Sequence, residues 1–253
     1  MSPRLPPVPP TIRVPEMPSR SRTMGHVTGT PTWTILVPTL GERRPLFERL
    51  MGVLLPQVDA AAGRVRVLAY WNNGRPSLPE IRHRLVAAVE TEYVSHVDDD
   101  DLVSPDFVPE ILGALESRPD YVGFQVQCYT DGLPTAIAHH DLVYGRWYNR
   151  DSAYFRDITH LNPLRTDLAR LADFRKARPG QPEDRAWVGQ LRRSGRVRSQ
   201  VVVPRILYHY LYSTSRSAGI GSRWKAPSLI QPGTEPARFT SPFFSYYPGC
   251  LDA

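Results

Sequence analysis

With 253 residues, 41% of them hydrophobic and 10% aromatic, the chain is long enough for one α/β domain with a sizeable core and short accessory regions. No stretch is apolar enough to span a bilayer, and the basic start lacks the apolar run of a secretory signal, so a cytoplasmic protein is expected. The formal charge of +6 suits a nucleic acid, an anionic substrate or simply an Arg-rich surface, while Cys128 and Cys250 have no metal-ligand spacing and make no disulfide framework.

In chain order, residues 1–31 are rich in Pro, Ser and Arg and read as a flexible arm that buries too little surface to fold alone. "WTILVP" at 33–38 and "RVRVLAYW" at 64–71 are short apolar runs suited to buried strands. Between them, Leu46, Leu50, Val53 and Leu54 fall on one helical face. Ser77 and Glu80 have capping-box spacing, with Pro79 in the first turn, and Ile81, Leu85, Val86 and Val89 supply the stripe of the helix that follows. "YVSHV" at 93–97 is a third strand, a helix follows Pro105, and "YVGFQVQCY" at 121–129 is another strand. Strands alternating with helices argue for an α/β domain over 32–214 with a mixed, mostly parallel central sheet, its ligand site at the carboxyl ends of the strands. The tail over 215–253 is broken by Gly and Pro yet holds Trp224, Phe243, Phe244, Tyr246 and Tyr247, which suit packing on the domain or a partner.

The stretch "HVDDDDLVSPDF" carries the most chemistry. Asp98, Asp99, Asp100 and Asp101 follow directly on an apolar strand, where adjacent carboxylates repel one another unless a counter-charge is present. A divalent cation meets that need, and hard oxygen ligands suit Mg²⁺ or Mn²⁺ shared with substrate phosphates. Alternate residues of an extended segment point the same way, so Asp98 and Asp100 address one site. A solvated acidic turn at a helix start is the structural alternative.

From Thr34 to about Tyr212 the sequence resembles the family 2 glycosyltransferases, enzymes of the GT-A fold. "ILVPTLGERRPLFERLMGVLLPQ" looks like their first strand, nucleotide-facing loop and helix, and "IRHRLVAAVETEYVSHVDDDDLVSPDF" resembles their helix, strand and D-x-D block. The resemblance implies a nucleotide-sugar donor, with a UDP-sugar favoured, and a Mn²⁺ or Mg²⁺ ion. It implies that Asp98, with Asp99 beside it, lies near the ribose or uracil, that Asp100 holds the metal on the diphosphate, and that Thr39 lines the nucleotide pocket. Arg82 matches a basic position near the nucleotide. After the second strand the family carries a base-reading aspartate where this chain has Asn72, in "WNNGRP", which weakens the case for uracil; Asn73 and Gly74 are also turn residues.

In "PGQPEDRAW", Glu183 and Asp184 precede an amphipathic segment, where acidic residues also favour a helix start. In the family an E-D pair at this point supplies the catalytic base. Asp184 would deprotonate the acceptor hydroxyl and Glu183 would orient it, or the two roles are exchanged, and the sugar carbon is inverted. His209 in "ILYHYLY" is a candidate metal ligand, with a packed core histidine as its alternative. "DITHLNPLR" places His160, Asn162 and Arg165 where acceptor contacts are expected, while His139 and His140 match no metal motif and are assigned to a loop. The acceptor is a protein or glycan, or DNA. A phosphatase or nuclease using the aspartates and a nucleic-acid-binding module are the competing classes; the latter requires basic residues interleaved with aromatics, which the N-terminal arm lacks.

Overall fold

The computed structural model describes residues 30, 32–73, 75–214, 236–248 and 250. The arm expected over 1–31 lies outside them save Thr30, as do residues 215–235 with Trp224.

β1 (Trp33–Leu40) is buried along almost its whole length, as an apolar run covered on both faces requires. It pairs in parallel with β2 (Val65–Asn72) on one side and β3 (Tyr93–His96) on the other. α1 (Arg44–Ala60) and α2 (Leu78–Ala88) make the two crossovers, so the three strands end on a common edge. α1 buries Phe47, Leu50, Met51, Leu54, Leu55 and Val58, a stripe rotated slightly from the expected one, which leaves Leu46 and Val53 at its margin. Ser77 is the N-cap of α2 but makes no side-chain cap bond; Glu80 instead accepts from Arg84 at 2.8 Å, so the expected reciprocal capping box is absent.

β4 (Leu102–Val103) and α3 (Phe107–Leu115) follow the aspartates, then β5 (Tyr121–Thr130). β6 (Leu133–His140) returns antiparallel to β5, β7 (Tyr148–Arg150) and β8 (Ala153–Arg156) form a hairpin beside β6, and β9 (Leu164–Arg165) bridges β3 to β5. α4 (Thr166–Ala169), α5 (Glu183–Ser194) and the long β10 (Gln200–Tyr212) follow. The result is a mixed α/β fold on one large sheet: parallel through β2, β1 and β3, with antiparallel pairs where β9, the β5–β6 hairpin and β7 join. Gly123 lets β5 and β6 approach, since a Cβ there would collide with the His140 carbonyl. His139 and His140 therefore belong to a strand rather than the expected loop.

β11 (Phe244–Tyr246) adds to the outer edge of β2 in parallel. Phe239, Phe244 and Tyr246 surround Phe47 with ring centroids 5.7, 6.3 and 6.4 Å away, contacts worth about 0.5–1.5 kcal/mol each beyond area burial. Phe174, on a short turn after α4, stacks on Trp187 of α5 at 5.0 Å, and that turn also packs on α2. This last contact brings the start of α5 to the common strand edge. No helix among the described residues is long and apolar enough to cross a membrane.

Candidate active site

The carboxyl ends of β1 and β3 open onto a cavity of about 540 Å³. Asp98–Asp101 leave β3 in a turn, closed by the Asp101 amide donating to the Asp98 carbonyl at 3.2 Å. The turn buries Asp99 and Asp101 and leaves the Asp98 and Asp100 side chains 26% and 25% exposed. All four aspartates line the cavity, Asp98 and Asp100 with the more exposed side chains, and the segment bends rather than staying extended.

Each buried carboxylate has a protein partner. Asp99 accepts from Thr39 Oγ1 at 2.7 Å and from Arg43 Nη1 at 2.8 Å, and the same guanidinium lies 3.3 Å from Asp100. Asp101 accepts from the Tyr208 hydroxyl at 2.7 Å and from the Leu211 amide at 2.8 Å. Arg82, 3% exposed, donates to Asp98 Oδ1 at 2.7 Å and brings its Nε within 3.4 Å of Glu183 Oε1. Burial opposes the charge on Asp98, but Arg82 and His160 override it and hold the carboxyl well below its usual range. Burial pushes Asp99 up to about 6 despite Arg43, and burial with Asp100 and Asp98 beside it pushes Asp101 well above the usual carboxylate range. Arg43 and Arg82 thus stand as counter-charges within the aspartate block.

Asp98 and Asp100 remain the carboxylates open to a ligand. A cation shared with a diphosphate takes one or two protein carboxylates and keeps its other positions for water and phosphate, and these two fit that role. Among the described residues no group of three His, Cys, Asp or Glu side chains is placed to cage an ion.

α5 starts at Glu183 with Pro182 as its N-cap and no side-chain cap bond, so both acidic residues are free to face the cavity they line. Glu183 is tethered by Arg82. Asp184 accepts only from the Arg185 amide, at 2.6 Å, and has no ion pair among the described residues. His160 reaches the cavity too, its Nε2 3.8 Å from Asp98 Oδ2 and both ring nitrogens without a hydrogen-bond partner among the described residues.

Other expected site residues are placed differently. His209 lies on β10 with its ring 6.0 Å from Tyr129 and is not among the residues that line the cavity. Thr39 is 3% exposed and positions Asp99 rather than lining the cavity. The Asn72 amide donates to the Pro76 carbonyl at 3.1 Å and closes the turn after β2. Asn162 is an interior residue that bonds His140 Nδ1 at 2.6 Å and the Val122 carbonyl at 2.8 Å, and Arg165 pairs with Asp167 and Asp120, so of the three acceptor-side candidates only His160 meets the cavity.

Sequence reasoning missed Arg43, Tyr208, Arg156 and Trp147. Arg43 stands in "GERRP", directly after the first strand, where a basic residue could have been read as a counter-charge. Nothing local marks the other three.

No protein-family model matches the chain, and no curated protein matches its sequence. Solved structures similar to it include S. aureus TarS 1–349, with a TM-score of 0.49 and 11% identity over 71% of this chain and 60% of that one. The same TarS segment in complex with UDP-GlcNAc gives 0.47 and 11% over 71% and 58%, and in complex with UDP 0.48 and 12% over 73% and 61%. The chain therefore spans about 60% of the length of that segment.

Proposed function

We propose that this chain is an inverting, metal-dependent glycosyltransferase of GT-A type that moves a sugar from a UDP-sugar to an acceptor hydroxyl. The observation that carries the reading is Arg82, which bridges Asp98 of the D-x-D block at 2.7 Å and Glu183 of the E-D pair at 3.4 Å across one cavity. The two motifs are 85 positions apart in the sequence, counting from 98 to 183, and a transferase needs both at one sugar. A volume of about 540 Å³ suits a small-molecule donor. The resemblance to family 2 supplies the reaction class and the preference for UDP.

Asp184, at the cavity wall and without an ion pair among the described residues, takes the proton from the acceptor hydroxyl. The oxygen attacks the anomeric carbon from the face opposite the diphosphate, the bond to the diphosphate breaks, and the configuration inverts. Glu183 is tethered by Arg82 and orients the acceptor, which supports Asp184 rather than Glu183 as the base. A Mn²⁺ or Mg²⁺ ion held by Asp100 with Asp98 would offset charge on the departing diphosphate. His160, its Nε2 3.8 Å from Asp98 and its ring nitrogens without a hydrogen-bond partner among the described residues, is available to the donor's polar groups.

A thermal-shift series with UDP, UDP-sugars and other nucleotides, with and without Mn²⁺, tests the reading in wild type and Asp100→Ala. A ligand that binds only the folded state raises apparent stability by mass action, by about 2.7 kcal/mol at a hundredfold excess over Kd. A Mn²⁺-dependent shift with UDP that Asp100→Ala abolishes is expected. No shift with any nucleotide in a folded sample would sink the donor site.

A further inference from the structure

Beside the cavity, Trp147 and Arg156 also wall a second hollow of about 410 Å³, shared with Arg146, Tyr148, Asn149 and Arg185. Arg185 in turn lines a third, of about 580 Å³, with Lys176, Arg178 and Arg193. Shared walls join the three into one track from the cavity along α5.

The cations on this track divide into two kinds. Arg192 is committed to Asp157, with both bonds at 2.7 Å, and Arg156 donates to the Tyr148 and Phe155 carbonyls and to Asn149. Among the described residues Arg146, Lys176, Arg178, Arg185 and Arg193 have no ion-pair partner. From Arg185 to Arg193 alone the helix rises about 12 Å, more than one phosphate spans, so the track suits a ligand with repeated negative charge.

The aromatic side chains narrow the choice of polyanion. Trp147 is not free to stack on a ligand: Arg156 and Arg185 lie 5.3 and 5.6 Å from its ring, and its Nε1 donates to the Ile158 carbonyl at 2.9 Å. It holds the arginines in place. Free ring surface lies instead at the cavity mouth, where Tyr210 and Tyr212 are 42% and 38% exposed and stand two residues apart on β10. Exposed rings beside a basic track suit unstacked bases, each worth roughly 1–3 kcal/mol on an aromatic platform. A duplex keeps its bases stacked inside, out of the cavity's reach.

We propose that the acceptor is single-stranded nucleic acid, its backbone on the arginine track and its bases at Tyr210 and Tyr212. This deepens the transferase reading and rests on it for the word acceptor; the binding itself does not.

Fluorescence anisotropy with a labelled mixed-sequence single strand, using the full chain, tests it at about 50 and about 200 mM salt. Neutralising four phosphates predicts a roughly 50-fold loss of affinity between those salts. Arg178→Glu combined with Arg193→Glu should weaken binding at least tenfold, whereas Arg66→Glu, on β2 at the other end of the sheet, should change it less than about threefold. Tyr212→Ala should cost the single strand roughly fivefold or more and leave heparin binding unchanged. Absence of binding at the lower salt, indifference to the double charge reversal, or duplex and heparin binding as tightly as the single strand without a Tyr212→Ala effect would each overturn the proposal. The UDP thermal shift is read in parallel. An intact shift with no oligonucleotide binding overturns this inference alone, while oligonucleotide binding with no shift supports the track and overturns the transferase reading.

Discussion

The floor of the cavity and its flank carry opposite charge and use it in opposite ways. On the floor, Asp98, Asp99 and Asp101 are each tied to a protein donor, from Arg82, Arg43 and Thr39 to Tyr208. On the flank, Arg146, Arg178, Arg185 and Arg193 have no carboxylate partner among the described residues. Charges paired inside the protein fix a geometry, and breaking them costs stability. Charges left unpaired contribute little to the fold and are held ready for a ligand. The E-D pair shows both behaviours in adjacent residues: Glu183 is anchored by Arg82, and Asp184 is not.

The largest effect expected is on turnover. Asp184→Asn should lower kcat by about 10²–10⁴-fold while leaving the UDP thermal shift in place, because only the proton acceptor is lost. Glu183→Gln should cost less; the reverse order in a steady-state assay would exchange the two roles. Next comes stability. Arg82→Met leaves Asp98 and Glu183 without their buried partner and should destabilise by about 3–5 kcal/mol in urea unfolding. A loss below about 1 kcal/mol would mean that Asp98, a quarter exposed, rehydrates and that the floor is not fixed by its ion pairs.

What could be read in advance follows the range of the interactions. β1, β2, β3 and α2 are legible because an apolar run or stripe is a local pattern, and the Asp98–Asp101 and Glu183–Asp184 blocks are legible because they are contiguous. β7, β8 and β11 have three or four residues each, too few for periodicity to register, and β6 opens on the exposed Leu133 and Pro134. Composition could not place His209 relative to the cavity, because the register of β10, with its bulges, decides which side chains reach it. The arginine track escaped the sequence reading for a related reason. It gathers Arg146, Arg178 and Arg185 from separate segments, and the basic–aromatic interleaving sought in the N-terminal arm occurs in "RWYNR" and "YFR" of the β7–β8 hairpin.

His140 sharpens the comparison with a buried group that has no ion pair among the described residues. Burial, reinforced by Arg156, lowers its pKa from 6.5 to about 3 against the opposing bond to Asn162. Because the folded value is depressed, the neutral ring stabilises the fold above pH 6.5, and that stability is lost as pH falls from there toward 3. Unfolding free energy should fall with one extra proton's slope, about 1.4 kcal/mol per pH unit, between roughly pH 6 and 4. His140→Gln should remove that increment, and an unchanged slope in the variant would assign the acid loss to other groups.

Arg178→Gln tests the opposite limit. Arg178 lies on an exposed loop with Lys176 and Arg193 on the same hollow and no carboxylate partner among the described residues. Removing its charge breaks no pair and relieves repulsion among like charges. The unliganded protein should therefore be unchanged or more stable by up to about 0.5 kcal/mol at low salt. The gain should vanish near 0.1 M salt, where the screening length falls to about 10 Å. A loss above about 1 kcal/mol would place Arg178 among the structural charges, with Arg82, and would remove it from the set held for a ligand.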